Sequence, residues 1–316
     1  MNGFVDGEKL IIGIPPSHIC VCICTYKRLH LLNKLIANLQ AQETDGLFSY
    51  SIVIVDNDHA RSAQRTVSDW REKTRVPIDY VVEPEKSISA ARNRAIRQAK
   101  GDYVACIDDD EFPCDTWLLR LYQTCCEYQV DGVMGPVIPY FLSIPPTWVM
   151  KGGVCNRASY PTGTTMHWSK SAFGNILLSR KILNYSPQPF NPKFRFQGED
   201  VAFFKDMNQR GHSFVWCTDA TVYELMTDDR CRKAYFLRRA FVQGHVSLQY
   251  IDSHTVHQKI YIVLKSATAI ALYTSLLPFC LMRGFHVFMK YLIKDVHHAS
   301  RLLALFQVVS LKERGF

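Results

Sequence analysis

Short apolar runs alternate with amphipathic segments over the first third of the chain. Each run is too short for a helix and is typical of a strand buried on both faces. The runs occupy residues 18–24, 51–55, 78–82 and 103–107. Apolar residues recur at helical spacing from Leu31 to Leu39, and Ser87 or Ser89 is placed to cap a later helix. This β-α-β-α-β order predicts a parallel sheet flanked by helices.

The second half of the pattern is less regular. Further helices are predicted over residues 115–128 and 201–209, and strands over residues 132–137 and 213–217. Residues 139–170 break the periodicity with prolines, glycines and aromatic residues. A long irregular stretch inside a domain usually forms a functional loop, so this segment is the expected lid or specificity region.

Composition places the chain among globular proteins with a substantial core. It has 316 residues, of which 47% are hydrophobic and 21% charged. The 11 cysteines show no zinc-type spacing, and Cys20, Cys22 and Cys24 alternate along the first predicted strand. They are expected to be small core residues in a reducing compartment. The N-terminus shows no signal-peptide pattern, so we expect a location on the cytoplasmic side of a membrane.

The C-terminal region combines apolar helices with positive charge. Residues 266–282 carry no charge, just short of the ~20 residues that a spanning helix needs. Residues 281–316 contain six basic and two acidic side chains, which supply +4 of the net charge of +8. The segment fits helices packed on the main domain, a spanning helix, or an attachment lying in the membrane plane. We favour the last, a peripheral or monotopic contact with an anionic membrane surface. The predicted division is a catalytic domain at 1–255 and a helical appendage at 256–316.

Polar residues follow three of the predicted strands, at residues 25–26, 56–58 and 108–111. The carboxyl ends of parallel strands meet at one edge of a sheet, where α/β proteins bind ligands. The four acids at 108–111 repel one another unless a cation relieves them, and their oxygens suit Mg²⁺ or Mn²⁺. Neither a dinucleotide-type nor a P-loop glycine motif is present. Phosphates would therefore be held through a metal, although a solvated acidic turn is the simpler alternative.

Five motifs in order resemble the family 2 inverting glycosyltransferases, which have the GT-A fold. They are residues 24–28 (CTYKR), 55–58 (VDND), 91–93 (ARN), 108–111 (DDDE) and 198–200 (GED). Within that family, the likeness is to glucosyltransferases of succinoglycan-type surface polysaccharides, which share the ending at 238–244 (RRAFVQG). The resemblance extends over about four-fifths of the chain. It implies an α/β fold with a mostly parallel, Rossmann-like sheet.

The resemblance implies roles for individual residues. Asp200, with Glu199 beside it, corresponds to the general base. Asp110 and Asp108 would hold the metal, with Glu224 as a further ligand. The residues expected to bind the donor are Thr25, Tyr26, Arg28, Asp56, Asn57, Arg92, Asn93, Asp108 and Asp109. The residues expected to contact the diphosphate or the acceptor are Arg238, Arg239 and Gln243.

Each role has a structural alternative. Asp200 could simply cap the helix that follows it, and Tyr26 could be a packing aromatic. Arg92, and the residues at 238–243, could belong to solvated helix faces. A carboxylate at a helix N-terminus is expected to have a lowered pKa, so we expect Asp200 to be ionised at neutral pH.

The implied activity is metal-dependent transfer of one sugar from a nucleoside-diphosphate donor, with UDP the expected nucleotide. The expected acceptor is a lipid-linked glycan or an oligosaccharide in surface-polysaccharide assembly. The alternatives are transfer to polyprenyl phosphate and a non-catalytic binding protein with the same fold.

The processive Q-x-x-R-W signature is absent, which argues against a polymerising synthase. Nucleic acid is disfavoured as a partner because the basic charge lies on apolar helices and the cleft is acidic. The sugar, the linkage and the oligomeric state stay open.

Overall fold

A computed structural model describes residues 17–195, 197–249 and 255–307. Its centre is a seven-stranded sheet with the order β3-β2-β1-β4-β8-β6-β9. The strands are β1 (Ser17–Thr25), β2 (Phe48–Asp56), β3 (Ile78–Val82), β4 (Tyr103–Asp108), β6 (Gly132–Met134), β8 (Ile176–Ser179) and β9 (Phe214–Trp216). The first four are mutually parallel, while β8 runs antiparallel to both β4 and β6. The predicted β-α-β-α-β half is confirmed.

Helices cover both faces of the large sheet. They are α1 (Leu29–Leu39), α2 (Gln64–Arg71), α3 (Ile88–Gln98), α4 (Trp117–Tyr128) and α6 (Glu199–Gln209). Alternate side chains of β1 enter two separate cores, with Ile19 and Val21 on the side of α1 and α4 and Cys20 and Cys22 on the side of α3 and α6. The predicted role of these cysteines as small core residues is confirmed, since Cys20 and Cys22 are buried free thiols.

A small three-stranded sheet with the order β5-β10-β7 lies beside the edge where β4 ends. It consists of β5 (Glu111–Pro113), β10 (Val222–Met226) and β7 (Val137–Phe141). The strand expected at 132–137 is divided between the two sheets, because the chain crosses at Gly135. A Cβ there would lie 2.2 Å from the Ala220 carbonyl oxygen, so only glycine fits the crossing.

The segment predicted to be irregular is partly ordered. Residues 137–141 belong to β7, and α5 (Thr147–Gly152) and a short 3-10 turn (Trp168–Lys170) follow. The prediction of irregular structure was therefore wrong for residues 139–141, 147–152 and 168–170. The stretch between α5 and the 3-10 turn contains no helix or strand.

Three helices complete the described chain: α7 (Lys233–Val246), α8 (Val256–Arg283) and α9 (Phe285–Leu305). On α7, a Cβ at Gly244 would lie 2.2 Å from the His297 carbonyl oxygen, and Ser300 donates a hydrogen bond to the Phe241 carbonyl. Helix α9 thus packs closely against α7, and α8 packs on α9. Helix α8 continues through Pro278.

In the described ranges, α8 is the one helix long and apolar enough to cross a membrane, with a mean hydropathy of 1.6 over its most apolar window. Ile262, Ser266 and Cys280 are its buried residues. Large apolar side chains elsewhere on the helix are exposed, including Leu264 and Phe279. The apolar stretch is therefore mostly on the outside of the fold.

Candidate active site

A cleft of about 400 Å³ opens at the edge where β1 and β4 end and α6 begins. Most of the predicted site residues line it. They are Thr25, Tyr26, Arg28, Asn57, Arg92, Asp108, Asp109, Asp110, Glu199, Asp200 and Glu224. The parallel register explains the convergence, since Thr25 pairs with Asp56 on one neighbouring strand and Cys24 with Asp108 on the other.

Two predicted donor-binding residues do not line the cleft. The buried Asp56 carboxylate accepts hydrogen bonds from the backbone N–H groups of Asp58 and Ala63 and from the Tyr80 hydroxyl. The buried Asn93 side chain forms two hydrogen bonds with the backbone of Phe190. Both side chains hold neighbouring loops in place, and their contacts with the donor stay predictions.

The floor of the cleft is built from the acids that end β4. Asp109 accepts hydrogen bonds from Thr25 Oγ1 at 2.8 Å and from Arg28 Nη1 at 2.9 Å. Burial raises the pKa of Asp109 to about 6, and Arg28 opposes that rise. Arg28 also donates to Asp110 at 3.0 Å, and Arg230 donates to the same carboxylate. Asp109 therefore positions Arg28 at the cleft, and its own contact with the donor stays a prediction.

Arg92 connects the two acidic sides of the cleft. Its guanidinium donates to Glu199 on α6 and lies 3.5 Å from Asp108 on β4. It also stacks over the Phe173 ring at 4.6 Å. The Arg92 side chain is only 11% exposed, so the alternative of a solvated helix charge is wrong. A planar guanidinium held on two sides fixes the distance between the candidate base and the acids of β4.

The two acids of α6 have raised pKa values. Burial raises the pKa of Glu199 to about 7, with Arg92 opposing and Asp200 reinforcing the rise. Burial also raises the pKa of Asp200, against the opposing effects of Arg92 and of the Val201 N–H. The expectation of a lowered Asp200 pKa was wrong because desolvation outweighs the helix terminus. Asp200 Oδ1 accepts the Val201 N–H at 2.8 Å, so it does contribute to capping α6.

Glu224 lies opposite the cleft floor but is bound by arginines. Its two oxygens accept from Arg157 at 2.6 Å and from Arg230 at 2.9 Å. Glu224 would have to exchange a guanidinium partner to bind a metal, and its assignment as a further ligand stays a prediction. Arg157 also lies 3.9 Å from the fully buried Glu111, whose pKa burial raises well above its ordinary value.

Sequence reasoning missed Arg157 and Arg230. Both come from segments without periodic pattern, so no sequence signal would have selected them. Together with Arg28 and Arg92, these residues form a network of ion pairs between guanidinium groups and carboxylates at the cleft.

The opposite wall carries Tyr26 and the residues that support it. The half-buried Tyr26 ring lies between two cations, Lys86 at 4.9 Å and Lys27 at 5.3 Å from its centroid. Asn57 donates to the carbonyl oxygens of Glu83 and Glu85 and so fixes the loop that carries Lys86. A half-buried aromatic ring with cations beside it suits a base or ribose attached to phosphates.

The residues expected to contact the diphosphate or acceptor from α7 lie elsewhere. Arg238, Arg239 and Gln243 are exposed on α7 and do not line the cleft. Their contact with the diphosphate or the acceptor stays a prediction. Their alternative, an exposed helix face, describes the structure.

Two carboxylates of the cleft, Asp108 and Asp110, were predicted to bind a divalent cation. Mg²⁺ is usually held by one or two carboxylates together with phosphate oxygens and water. Asp108 fits, because its side chain is 46% exposed at the cleft. Asp110 fits once Arg230 or Arg28 moves from its oxygen. No group of three His, Cys, Asp or Glu side chains in the described ranges is arranged to hold a metal. The residues thus suit a cation that a diphosphate helps to bind.

Comparison with known proteins places this cleft in context. A family model described as Glycosyl transferase family 2 matches residues 20–186. The succinoglycan biosynthesis protein ExoM of Rhizobium meliloti is 29% identical over 259 residues, which cover 79% of this chain and 81% of that protein. A poly(ribitol-phosphate) beta-glucosyltransferase of Bacillus spizizenii is 28% identical over 122 residues, covering 37% of this chain and 18% of that protein.

Solved structures share the fold. S. aureus TarS 1-349, also crystallised with UDP, aligns with a TM-score of 0.52 and 14% identity over 93% of each chain. The mannosyltransferase PcManGT from Pyrobaculum calidifontis, in complex with GDP-Man and Mn²⁺, aligns with a TM-score of 0.61 and 17% identity over 93% of this chain and 88% of that one. These likenesses confirm the predicted GT-A type of sheet.

Proposed function

Because the chain belongs to glycosyl transferase family 2, and is therefore a glycosyltransferase, we propose that it moves one sugar from a nucleoside diphosphate to a glycan acceptor with inversion. The observation that carries the proposal is the position of Asp200 and Glu199. They face the acids of β4 across the cleft, and Arg92 bridges the two sides. A base on one side and a diphosphate site on the other is the arrangement that a single displacement needs.

The donor half of the cleft suits a nucleoside diphosphate. Tyr26 offers a face for the base or ribose, and Arg28 and Arg230 are cations that can turn from Asp110 to phosphate oxygens. The UDP and GDP-Man complexes of proteins with this fold support a nucleotide sugar. We propose a UDP-linked donor.

Asp108 and Asp110 would hold a divalent cation, Mg²⁺ or Mn²⁺, together with the diphosphate. The Mn²⁺ complex of PcManGT supports metal use on this fold. A bound cation offsets the negative charge that develops on a departing nucleoside diphosphate.

The proposed reaction is one displacement at the anomeric carbon. The acceptor oxygen bonds to that carbon, the bond from the carbon to the diphosphate oxygen breaks, and the acceptor proton passes to the Asp200 carboxylate. Base catalysis of this kind contributes ~10²–10⁴ in rate. Glu199, deeper and bound to Arg92, keeps that guanidinium between the base and the donor site.

We propose surface-polysaccharide assembly at a membrane as the setting. The similarity to ExoM supports a role in polysaccharide biosynthesis. The exposed apolar surface of helix α8 supports association with a membrane. Lys265 and Arg283 are exposed and 18 residues apart on α8, which is five helical turns, so they lie along the same edge of the helix. A row of basic residues beside exposed apolar ones suits a helix lying on anionic lipid on the cytoplasmic side. The proposed acceptor is accordingly a lipid-linked glycan.

The test of the activity is a donor screen. Purified protein is incubated with a panel of UDP-, GDP- and dTDP-sugars, with Mn²⁺ or Mg²⁺, and nucleoside-diphosphate release is followed. We expect release from one UDP-sugar above the others, and its loss in the Asp200→Asn variant. Release from no donor, with or without membrane extract as acceptor source, would contradict the proposed function.

A further inference from the structure

A second cavity, the wedge groove, lies between residues 143–148 and the start of α7. Its volume is about 550 Å³, and it is distinct from the catalytic cleft. One wall is apolar and includes Ile144, Pro146 and Trp148, and the other carries Arg232 and Lys233. Neither the proposed base nor the donor site uses any of these residues.

The apolar wall is unusually exposed for a loop. Ile144 is 97% exposed, and its neighbour Leu142 is 69% exposed. Trp148 is held rigidly, because its ring packs edge-on against Phe236 and Phe285 at centroid distances of 5.4 Å and 6.2 Å. Adjacent large apolar residues on a fixed loop mark an interaction site more often than a random surface does.

Arg232 and Lys233, the cations of the basic wall, make weak interactions with their neighbours. Arg232 pairs with Asp229, but the two side chains are 74% and 80% exposed, and such surface pairs contribute little. Lys233 lies over the Phe285 ring at 4.6 Å. Asp228, the acid in the groove, accepts a hydrogen bond from Ser143 at 2.9 Å. Both cations are therefore available to an anion, and they stand directly beside the apolar wall.

The groove and the catalytic cleft share a wall. The 3-10 turn Asp228–Cys231 presents Asp228 and Cys231 to the groove. These residues are three apart and lie on the same side of such a turn. Arg230, between them, instead reaches Asp110 and Glu224 in the catalytic cleft. A ligand in the groove is thus separated from the donor site by one turn of chain.

The groove also adjoins the end of the helical hairpin. Phe285, which packs on Trp148, is the first residue of α9, and the end of α8 just before it is exposed and apolar. There, Phe279, Leu281 and Met282 are 64%, 53% and 86% exposed. The groove therefore lies between the catalytic cleft and apolar surface of α8.

We propose that the wedge groove binds the phosphate end of the acceptor's lipid carrier. Arg232 and Lys233 bind the phosphate or diphosphate, and Ile144, Pro146 and Trp148 contact the first part of the apolar chain. The identification of this lipid as the acceptor's carrier rests on the proposed function. A lipid phosphate contacts both walls at once, whereas inorganic diphosphate would contact only the two cations and an apolar peptide only the apolar wall.

The test titrates purified full-length protein, in one detergent and with saturating UDP, with farnesyl diphosphate. Saturating UDP keeps the probe out of the donor site. We expect binding by the wild type and a ~10-fold or greater loss of affinity in Ile144→Asp and in the double variant Arg232→Gln/Lys233→Gln. The matched controls are Leu47→Asp and Lys73→Gln, exposed positions that line neither cavity, and they should bind like the wild type.

Comparison ligands distinguish the sources of the phosphate. Inorganic diphosphate and short-chain phosphatidylglycerol should bind weakly and without dependence on Ile144. Equal affinity of the variants and the wild type for farnesyl diphosphate would overturn the proposal. Phosphatidylglycerol binding with the same sensitivity to Ile144→Asp would also overturn it, by making the site one for membrane lipid. Failure of the proposed function is separate, because it appears as absent UDP binding and donor hydrolysis in the wild type.

Discussion

Arg230 donates a hydrogen bond to Asp110, and the same guanidinium reaches Glu224 at 2.9 Å. Asp110, one of the two proposed metal ligands, is thus held by a cation from a turn 120 residues further along the chain. Asp110 has a side-chain exposure of 7%, and a buried carboxylate without a partner is costly. The arginine therefore satisfies Asp110 in this structure; in the proposed reaction, a metal and a diphosphate would replace it and it would become available to the phosphates.

Asp110→Ala should abolish most of the metal-assisted binding of UDP. The substitution removes one of the two proposed carboxylate ligands and one of the two carboxylate partners of Arg230. Calorimetry with UDP, in the presence and absence of Mn²⁺, measures the effect. The wild type should bind UDP more tightly with Mn²⁺, and the variant should bind equally with and without it. Undiminished metal-dependent affinity in the variant would remove Asp110 from the metal site.

Tyr26→Ala should weaken UDP binding ~5-fold or more, because base–aromatic stacking is worth ~1–3 kcal/mol. The half-buried ring is the aromatic surface beside Lys86 and Lys27. Tyr26→Phe keeps the ring and should bind UDP like the wild type. Equal dissociation constants for all three proteins would show that Tyr26 is only a packing residue.

The pH dependence of transfer should report the acids of α6. The Arg92 charge lowers the pKa values of both Glu199 and Asp200, although burial raises each above its ordinary value. Removing that charge in Arg92→Gln raises both pKa values further, so the base is protonated up to a higher pH. The acid limb of the rate profile should move to higher pH, and part of the lost rate should return under alkaline conditions.

Arg92→Lys is the matched control for that experiment. It keeps the positive charge, so its acid limb should stay near that of the wild type even if its rate is lower. A purely structural role of Arg92 would lower the rates of both variants by the same factor at every pH. That outcome would contradict the electrostatic role.

The membrane surface of α8 can be tested with single substitutions. Leu264→Asp and Phe279→Asp introduce charge at exposed positions of the helix and should reduce sedimentation with anionic liposomes while sparing donor hydrolysis. Leu47→Asp, at an exposed position outside α8, is the matched control. Substitution is preferable to truncation, because α9 packs on α7 through Gly244 and Ser300. Unchanged sedimentation of both variants would mean that α8 does not attach the protein to lipid.

The sequence was informative where local pattern decides structure. The apolar run at 103–107 followed by Asp108 placed the acids at the end of a core strand. Either Ser87 or Ser89 was expected to cap α3, and Ser87 does so by accepting the Ala90 N–H. Strand periodicity and capping act over a few residues. The order of the motifs along the chain then predicted that their residues meet at one edge of one sheet.

The sequence was uninformative where distant partners decide the environment. It does not show that the Asp56 and Asn93 side chains are fully used by backbone groups and by Tyr80. Arg157 meets Glu224 across 67 residues, from a segment without periodicity. The same reason explains the Asp200 pKa, since the helix terminus is visible in the sequence and the burial that outweighs it is not.

Asp200→Asn is the decisive substitution for the reaction. The side chain lies in the first turn of α6, lines the cleft, and accepts the Val201 N–H through Oδ1. Asparagine keeps the size and an oxygen for that hydrogen bond, yet it cannot take a proton from a sugar hydroxyl. If Asp200 is the base, the variant should fold and bind UDP with metal like the wild type, while transfer falls by ~10² or more. If Asp200 only caps α6, transfer should persist and stability should change by no more than ~1 kcal/mol.

Glu199→Gln is the companion variant, because Glu199 has a pKa of about 7 and would be the remaining candidate for the base. Near-normal transfer by Asp200→Asn, with loss of transfer in Glu199→Gln, would assign the proton to Glu199 instead.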